Sequence, residues 1–391
     1  MHFADATLLV VDDDANNRYT LTRRLKREGY SNVLLANNGR EALDALEANP
    51  VDLVLLDIMM PELNGYEVLE RIKTHPRLRE IPVIMISAVD DTDSVVRCIE
   101  LGAEDYLPKP FNATLLRARV GASLEKKLLR DENRRQARRM EEELAAARTI
   151  QLGMVPSEFP VATPEFPVDI HAVLHPAFEV GGDLYDFFLC EPGTLCIAIA
   201  DVSGKGAAAA LFMARTKTLI RTVAKLLARS GEGGQRPADI LAHVNEDLCR
   251  DNPTAMFATV FIGMIDLENR RLAYCNAGHN APYLIGADTG LIALTNARGR
   301  ALGYRPGFRY ETAVRDLRSG ETLFLFTDGI TEADGPGGEF FESDRLERSL
   351  RDMAGATSRQ IIDSVIANVR EFAGSAPQSD DIAAMAVRLT G

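Results

Sequence analysis

Three short runs of Val, Ile and Leu constrain this chain more than any other feature: TLLVV (7–11), VDLVLLD (51–57) and IPVIMIS (81–87). The apolar residues are nearly continuous rather than alternating. Each run therefore reads as a strand buried on both faces, the condition of parallel strands covered by helices. The intervening segments can supply that cover. Residues 18–29, 39–49, 65–75 and 92–101 carry helical periodicity, and Gly29 and Gly102 stand where helix C-caps are expected. A strand–helix repeat of this kind predicts a doubly wound α/β domain of about 120 residues.

The 391 residues leave room for at least one more domain. The stretch LEKKLLRDENRRQARRMEEELAAARTIQL (124–152) contains neither Pro nor Gly and is dense in Lys, Arg and Glu, so residues 121–152 are expected to form one long helix. Within it Ala137, Met140, Leu144 and Ala147 follow 3–4 spacing, a thin coiled-coil seam with Asn133 one step earlier. The plainer alternative is a solvated linker helix. Pro156, Pro160, Pro164 and Pro167 then end all helix. Beyond them the character changes. Strands are expected at 195–203, 257–268, 270–278 and 321–329, with a hairpin turned at Glu268–Arg270, and helices at 207–230, 238–252, 344–353 and 358–372. Clustered hairpins with a few helices predict an α+β domain.

The bulk properties exclude several classes. No apolar run approaches the roughly 20 residues of a membrane span, and the start MHFADATLLVVDDD lacks the basic and cleavable segments of a signal peptide. A net charge of -13 argues against broad nucleic-acid binding. Cys98, Cys190, Cys196, Cys249 and Cys275 form no CxxC pair and mostly lie in apolar stretches, which fits free thiols in a reducing cytoplasm.

Two acidic sets carry the chemistry. In the first, Asp12 and Asp13 follow one strand, Asp57 ends the next and Ser87 ends a third. Ligands of open parallel sheets bind at the carboxyl ends of strands, so these side chains are expected in one crevice. Converging carboxylates suit Mg²⁺, and a cation beside Asp57 would make that carboxylate a workable nucleophile toward phosphate. Ser87 could hydrogen-bond a phosphoryl oxygen and Lys109 could pair with another. Lys109–Pro110 is a candidate cis peptide bond.

The second set is Asp183 in GGDLYDFF, Asp201 in ADVSGKG, Asp328 in FTDGITEA and the pair Asp380–Asp381 in QSDDIAA. Separated acidic residues at strand ends have one economical explanation, a two-metal site that activates water for in-line phosphoryl displacement. With no Cys or His needed, Mg²⁺ or Mn²⁺ fits better than Zn²⁺. The absence of GxxxxGK[ST] removes a P-loop nucleotide cradle. GGDLYDFF has a superficial likeness to the GGDEF signature of diguanylate cyclases, but the partner motifs of that family are missing. His279 in NAGHN reads as a polar structural residue rather than a ligand.

Residues 5–122 resemble a two-component response-regulator receiver domain through VVDDD, LLDIMMPELNGYE, PVIMISA and AEDYLPKPF. The resemblance implies Asp57 as phosphoacceptor, and Asp13 with Asp57 as Mg²⁺ ligands helped by the Met59 carbonyl. It also implies Ser87 and Tyr106 as the switch pair; the family often carries Thr where Ser87 stands. Residues 145–390 resemble the bacterial PP2C-like serine/threonine phosphatases of the SpoIIE/RsbU type. The matching motifs are AARTIQLGMVP, GGDLYDF, DVSGKGAAAALFMA, NAGHNAPYL, LFLFTDGITEA and SDDI, in the family order. That resemblance implies Asp183, Asp201, Asp328 and Asp380 as catalytic metal ligands, with the Val202 carbonyl and Asp381 as auxiliaries. Ala383 stands where the family commonly has Thr, which bears on fine geometry.

The expected layout is a receiver domain at 1–122, a helical linker at 123–155 and a phosphatase domain at 156–391. The resemblance implies a regulator phosphorylated at Asp57 by a histidine kinase or phosphotransfer protein. Its output would be a phosphatase acting on a phosphorylated anti-anti-sigma (STAS) protein, as a homodimer through the linker helix. The rival reading is a phosphatase-shaped adaptor that captures a sigma factor or its regulator without catalysis. A transcription factor is disfavoured, because no helix-turn-helix or basic patch follows the receiver segment.

Overall fold

A computed structural model describes residues 5–87, 92–159, 163, 167–229 and 237–390. Of the positions named above, Ala88, Pro160, Pro164 and Ser230 lie outside the described residues. The chain divides into two compact units, residues 1–140 and 141–391.

The first unit alternates β1 (Thr7–Val11), α1 (Ala15–Arg27), β2 (Asn32–Ala36), α2 (Gly39–Ala48), β3 (Leu53–Asp57), α3 (Gly65–Thr74), β4 (Val83–Ser87), α4 (Thr92–Glu100) and β5 (Asp105–Pro108), then enters α5 (Ala113–Leu152). Its strands form one parallel sheet in the order β2-β1-β3-β4-β5. The three runs singled out in the sequence are its central strands, and β3 and β4 are buried at every position. One core lies on each face: Leu9, Val54, Met85 and Ile72 on one side, and Leu8, Leu55, Ile84 and Leu116 on the other. Gly29 and Gly102 follow their helices with φ of 98° and 88°, the left-handed C-cap geometry. Strand β2 escaped the sequence reading because it is an edge strand whose Asn32 and Leu35 are exposed.

Helix α5 starts at residue 113, not 121. The Asn112 side chain accepts from the Thr114 and Leu115 amides at 2.9 and 3.1 Å, an N-terminal cap that the linker reading overlooked. Leu116, Val120 and Leu124, spaced by four, pack this helix onto the sheet, and Gly121 does not interrupt it. After Leu124 no residue of α5 is buried until Gln151. Between them, ion pairs fasten the helix to its own unit. Lys127 reaches Asp52 at 3.1 Å, Arg134 reaches Glu80 at 2.6 Å, and Lys126 and Arg130 both meet Glu104.

The second unit contains two five-stranded sheets. One has the order β13 (Ala313–Asp316), β10 (Arg271–Ala277), β9 (Ala258–Asp266), β8 (Thr194–Val202), β7 (Leu184–Glu191). The other has β12 (Gly290–Ala293), β11 (Tyr283–Gly286), β14 (Thr322–Phe326), β15 (Ile382–Leu389), β6 (Val168–His175). All pairings between these strands are antiparallel. Residues such as Ile197, Ile199 and Phe261 from the first sheet meet Leu325, Met385 and Val387 from the second in the central core. Helices α6 (Gly206–Arg229) and α7 (Pro237–Cys249) cover the outer face of the first sheet. Helices α9 (Glu342–Arg351) and α10 (Ser358–Ala373) cover the second. The unit is thus a sandwich of two sheets between two helical layers, an α+β architecture.

The hairpin expected at Glu268–Arg270 is the β9–β10 turn, with Arg270 at a φ of 52°. The strand expected at 321–329 ends at Phe326, and a single helical turn, α8 (Asp328–Thr331), follows. The reason is local: Thr327 turns back to Ala383, accepting its amide at 2.9 Å. The short strands β11, β12 and β13, four residues each, lack the length that makes alternation visible.

Asp186 on β7 anchors α6 to the sheet. Its buried carboxylate accepts Arg221 Nε at 2.8 Å and Arg221 Nη2 at 2.5 Å, and pairs with Lys217 Nζ at 3.1 Å. Removing one member of such a buried set leaves uncompensated charge, which costs about 3–5 kcal/mol. Asp186→Ala is expected to lower unfolding free energy by that amount in urea titrations followed by circular dichroism, whereas the exposed pair Arg250–Asp247 at 3.4 Å should contribute little when broken by Asp247→Ala.

Candidate functional sites

In the receiver unit the parallel sheet brings Asp12, Asp13 and Asp57 together at its carboxyl edge. One ligand atom from each lies within 4.8 Å of the others, and among the described residues no other trio of potential metal ligands meets that measure. Asp12 and Asp57 are buried and Asp13 is exposed, so the trio opens to solvent on one side. Lys109 bridges the buried pair, with Nζ 2.9 Å from Asp12 Oδ2 and 3.0 Å from Asp57 Oδ2. Burial raises the Asp57 carboxyl above its ordinary range, and the Lys109 hydrogen bond works against that rise. The Asp14 amide and Asn17 Nδ2 donate to Asp12 Oδ1 at 2.9 and 3.1 Å, fixing the rotamer of that carboxylate. A Cβ on Gly65 would meet the Asp57 carbonyl oxygen at 2.2 Å, so only glycine permits the loop to close over the end of β3.

The Lys109–Pro110 bond is cis. Ser87 ends β4 and is buried. Tyr106 is half-buried on β5 opposite Met85, with the Arg119 guanidinium 5.2 Å from its ring centre. Met59 lies two residues beyond Asp57 with an exposed side chain. The trio with its lysine thus has the donor set of a hard-cation site, oxygen-rich and partly open to water.

In the second unit the two sheets deliver acidic residues to one end of the sandwich. Asp183 precedes β7, Asp201 is the penultimate residue of β8, Asp328 opens α8 after β14, and Asp380 and Asp381 precede β15. Asp381 accepts the Ala177 amide on Oδ1 at 2.8 Å, and the Gly182 and Asp183 amides on Oδ2 at 2.7 and 3.4 Å. Three glycines make the approach possible. A Cβ at Gly181 would sit 2.0 Å from Asp381 Oδ2, one at Gly329 1.9 Å from the Asp381 carbonyl oxygen, and one at Gly182 2.7 Å from the Val202 carbonyl oxygen. Val202 therefore presents its carbonyl against the Gly182 turn, beside Asp183.

Burial and mutual repulsion shape the electrostatics. Asp183 is pushed far above the ordinary carboxylate range by burial and then by Asp201. Asp201 is pushed up to about 7 by burial, then by Asp328 and Asp380, although a hydrogen bond with Asp183 opposes the rise. Asp328 is raised by burial and then by Asp380. Crowded carboxyls hold protons in this way when no cation is present. Asp183 Oδ2 is buried with no hydrogen-bond partner. An orphaned carboxylate oxygen among raised carboxyls is what a divalent-cation site presents, so the donor set fits Mg²⁺ or Mn²⁺. The carboxylates are spread more widely than the receiver trio.

Several residues here carried no role in the sequence reading. Lys205 of DVSGKG donates to the Ser379 carbonyl at 2.7 Å, lies 3.3 Å from Asp380 Oδ2, and rests 5.7 Å from the Phe178 ring centre. Thr327 Oγ1 accepts the Ala383 amide at 2.9 Å and donates to its carbonyl at 3.3 Å, next to the Asp380–Asp381 segment. Gln151 exchanges two hydrogen bonds with the Gly181 backbone. A lysine inside an otherwise acidic motif set was the one visible signal; the other two act through backbone partners that a sequence does not display. His279, read from the sequence as a polar structural residue, lies at the β10 end with its Nε2 buried and without a hydrogen-bond partner. It is buried, its Nδ1 meets Thr259 Oγ1 at 2.8 Å, its backbone is held by Asn276, and burial lowers its imidazole to about 4.

Comparison with known proteins agrees with this architecture. Residues 191–390 match the family model for Stage II sporulation protein E (SpoIIE), and residues 8–121 match the response regulator receiver domain. Protein IcfG of Synechocystis sp. is 31% identical over 265 residues, 63% of this chain and 41% of IcfG. The transcriptional regulatory protein CpxR of Escherichia coli is 45% identical over 118 residues, 30% of this chain and 48% of CpxR. This chain thus spans less than half the length of these curated relatives. The SiaA-PP2C domain of Pseudomonas aeruginosa aligns with a TM-score of 0.56 at 24% identity, covering 65% of this chain and 98% of that domain, a likeness of fold. With the SpoIIE model matching just over half of its residues, the chain belongs to the SpoIIE family, carrying a receiver domain ahead of its PP2C-like domain.

Proposed function

We propose that this protein is a response regulator whose output is a metal-dependent serine/threonine phosphoprotein phosphatase. The observation that carries the reading is the buried, unpartnered Asp183 Oδ2 amid carboxyls that burial and mutual repulsion raise above their ordinary range. Such a cluster is costly without cations, and the family's chemistry gives it a use. Asp183, Asp201, Asp328 and Asp380 would hold two Mg²⁺ or Mn²⁺, with the Val202 carbonyl and Asp381 as auxiliaries. When bound, these ions supply an activated water and neutralise the charge that develops on the phosphoryl group. Asp381 keeps the Gly182–Asp183 backbone in place through its amide contacts. Lys205, at the rim, balances part of the acidic charge.

In the receiver unit, Asp57 would accept a phosphoryl group from a histidine kinase or phosphotransfer protein. Asp12, Asp13 and Asp57, with the Met59 carbonyl, would hold one Mg²⁺. Lys109 already sits within 3.0 Å of Asp57 Oδ2, placed to pair with the phosphoryl oxygens. Ser87 and Tyr106 would respond to the new charge as the switch pair. Residues 1–122 would then act on residues 156–391 through the helical segment at 123–155, which we read as the homodimer contact. Its seam residue Met140 is exposed in the single chain. The substrate we propose is a phosphorylated STAS anti-anti-sigma protein in the cytoplasm. No helix among the described residues is long and apolar enough to cross a membrane.

Three outcomes are expected. Asp201→Asn and Asp328→Asn should each reduce Mn²⁺-dependent hydrolysis of a STAS phosphoserine protein by at least about a hundredfold, read as released phosphate; full activity in either would remove the metal assignment. Asp57→Ala should abolish any change in that rate produced by a beryllofluoride or acetyl-phosphate treatment, and an undiminished response would remove the switching role. Asp201 must lose its proton to bind a cation, and its pKa is raised to about 7, so Mn²⁺ affinity measured by calorimetry should be highest above that pH and fall as the pH drops through it.

A further inference from the structure

The β7–β8 hairpin carries two thiols on one face. It turns at Pro192–Gly193, with Gly193 at a φ of 84°. Cys196 on β8 stands opposite Phe188 on β7, and the register slips between Leu189 and Glu191. Cys190 is the residue left over in that slip: Leu189 faces Leu195, Glu191 faces Thr194, and Cys190 has no opposite number on β8. Phe188 and Cys196 lie in the core beneath α6, and Cys190 packs against the same cluster. Leu189, between Phe188 and Cys190, is exposed. Both thiols therefore belong to the α6 side of the hairpin. Cys196 is buried there, and Cys190 is half-buried on the edge strand of its sheet.

The surroundings treat the two sulfurs differently. A hydrogen bond with Cys196 holds the Cys190 thiol below its ordinary range, and Lys225 and Arg221 assist against burial and Glu191. Those cations stand on α6 over the neighbouring ring, Arg221 at 4.6 Å and the Lys225 ammonium at 5.6 Å from the centre of Phe188. Cys196 moves the other way: its hydrogen bond with Cys190 and its burial push it well above the usual thiol range. The hairpin thus sets a reachable sulfur that ionises readily against a buried one that keeps its proton.

We propose that Cys190 and Cys196 form a peroxide-oxidisable pair, in which Cys190 is the attacking thiol, Cys196 the resolving thiol and a reversible disulfide the product. The Cys190 thiolate attacks one oxygen of hydrogen peroxide. An S–O bond forms, the O–O bond breaks, and the departing hydroxide takes up a proton and leaves as water. The Cys196 sulfur then attacks the sulfenic sulfur of Cys190. The S–S bond forms, the S–O bond breaks, and the Cys196 proton leaves with that hydroxide as a second water. The two thiols lose two electrons and the peroxide gains them. A disulfide needs Cβ atoms about 3.5–4.5 Å apart. Because Cys190 is not held in the ladder, it can close on Cys196 without breaking a strand pairing. In a reducing compartment such bridges are transient and redox-sensing rather than structural, which suits a pair that rests as free thiols.

Cys249 supplies an internal reference. It is half-buried like Cys190, but burial and Glu246 raise its thiol, and its Sγ donates to Asn245 Oδ1 at 3.7 Å. The test is peroxide titration of the full chain, then iodoacetamide alkylation in denaturant, trypsin digestion and mass spectrometry. No Lys or Arg lies between Arg148 and Lys205, so one tryptic peptide holds both cysteines and Cys249 falls in another. The expected product is that peptide without alkyl groups and about 2 mass units lighter than its reduced form, reversed by dithiothreitol. It should appear at least about tenfold faster than any oxidation of Cys249. In Cys196→Ala, Cys190 should stop at the sulfenic acid and be trapped by dimedone; in Cys190→Ser, Cys196 should remain alkylatable. Three results would each overturn the pairing: both cysteines still alkylated once Cys249 is oxidised, sulfinic acid on Cys190 beside a free Cys196, or a bridge from Cys190 to any other cysteine. The parent protein decides this by itself, so a variant that fails to fold does not alter the outcome.

Discussion

Three backbone amides converge on the carboxylate of Asp381, and the arrangement of the acidic centre depends on that convergence. The amides of Ala177, Gly182 and Asp183 lie about 200 residues away in sequence, Ala177 just after β6 and the other two just before β7. Charge-assisted bonds of this kind are roughly twice as strong as neutral ones. They join the first and last parts of the unit at the point where the carboxylates gather. The price in sequence freedom is severe. Gly181 and Gly329 can carry no side chain, and Gly182 has the Val202 carbonyl where its Cβ would stand.

The same principle operates in the receiver unit with a cation in place of amides. Lys109 forms ion pairs with Asp12 and Asp57 at once and offsets part of the burial of Asp57. The two centres thus solve one electrostatic problem, close carboxylates in partly dry surroundings, by different means. The receiver trio keeps a permanent lysine counter-charge and an exposed Asp13. The second centre leaves Asp183 Oδ2 without any partner, and its carboxyls rise accordingly.

Much of this was legible in the sequence because strand ends are marked by where apolar runs stop. TLLVV, VDLVLLD and IPVIMIS located three central strands, and with them Asp12, Asp57 and Ser87. Asp183, Asp201 and Asp328 were visible for a similar reason, each lying beside a glycine and an apolar run. What stayed hidden had partners on the backbone or far along the chain. Gln151 sits at the end of a polar helix and gave no sign that it reaches Gly181, 30 residues on. Asp186 looked like a bystander in GGDLYDFF, because its partners Lys217 and Arg221 lie on a helix 31 to 35 residues later. The edge strands β2, β12 and β13 were missed because strands with an open edge and exposed positions lose the hydrophobic signal. The start of α5 was misplaced because its cap, Asn112, lies just after a proline-rich turn.

The two kinds of ion pair described above differ in how strongly ionic strength weakens them. Asp186 and Lys217 are shielded from water, so dissolved salt screens their pair little and α6 stays fastened to its sheet. The part of α5 beyond Leu124 is fastened to the receiver unit chiefly through exposed pairs: Lys126 and Arg130 with Glu104, and Arg134 with Glu80. At physiological salt the screening length is about 8 Å, and it shortens further as salt rises. Osmotic upshift in a cell that accumulates ions would therefore loosen this stretch of helix from its own unit before it disturbed either core, giving the chain a physical sensitivity to its ionic surroundings that does not involve Asp57.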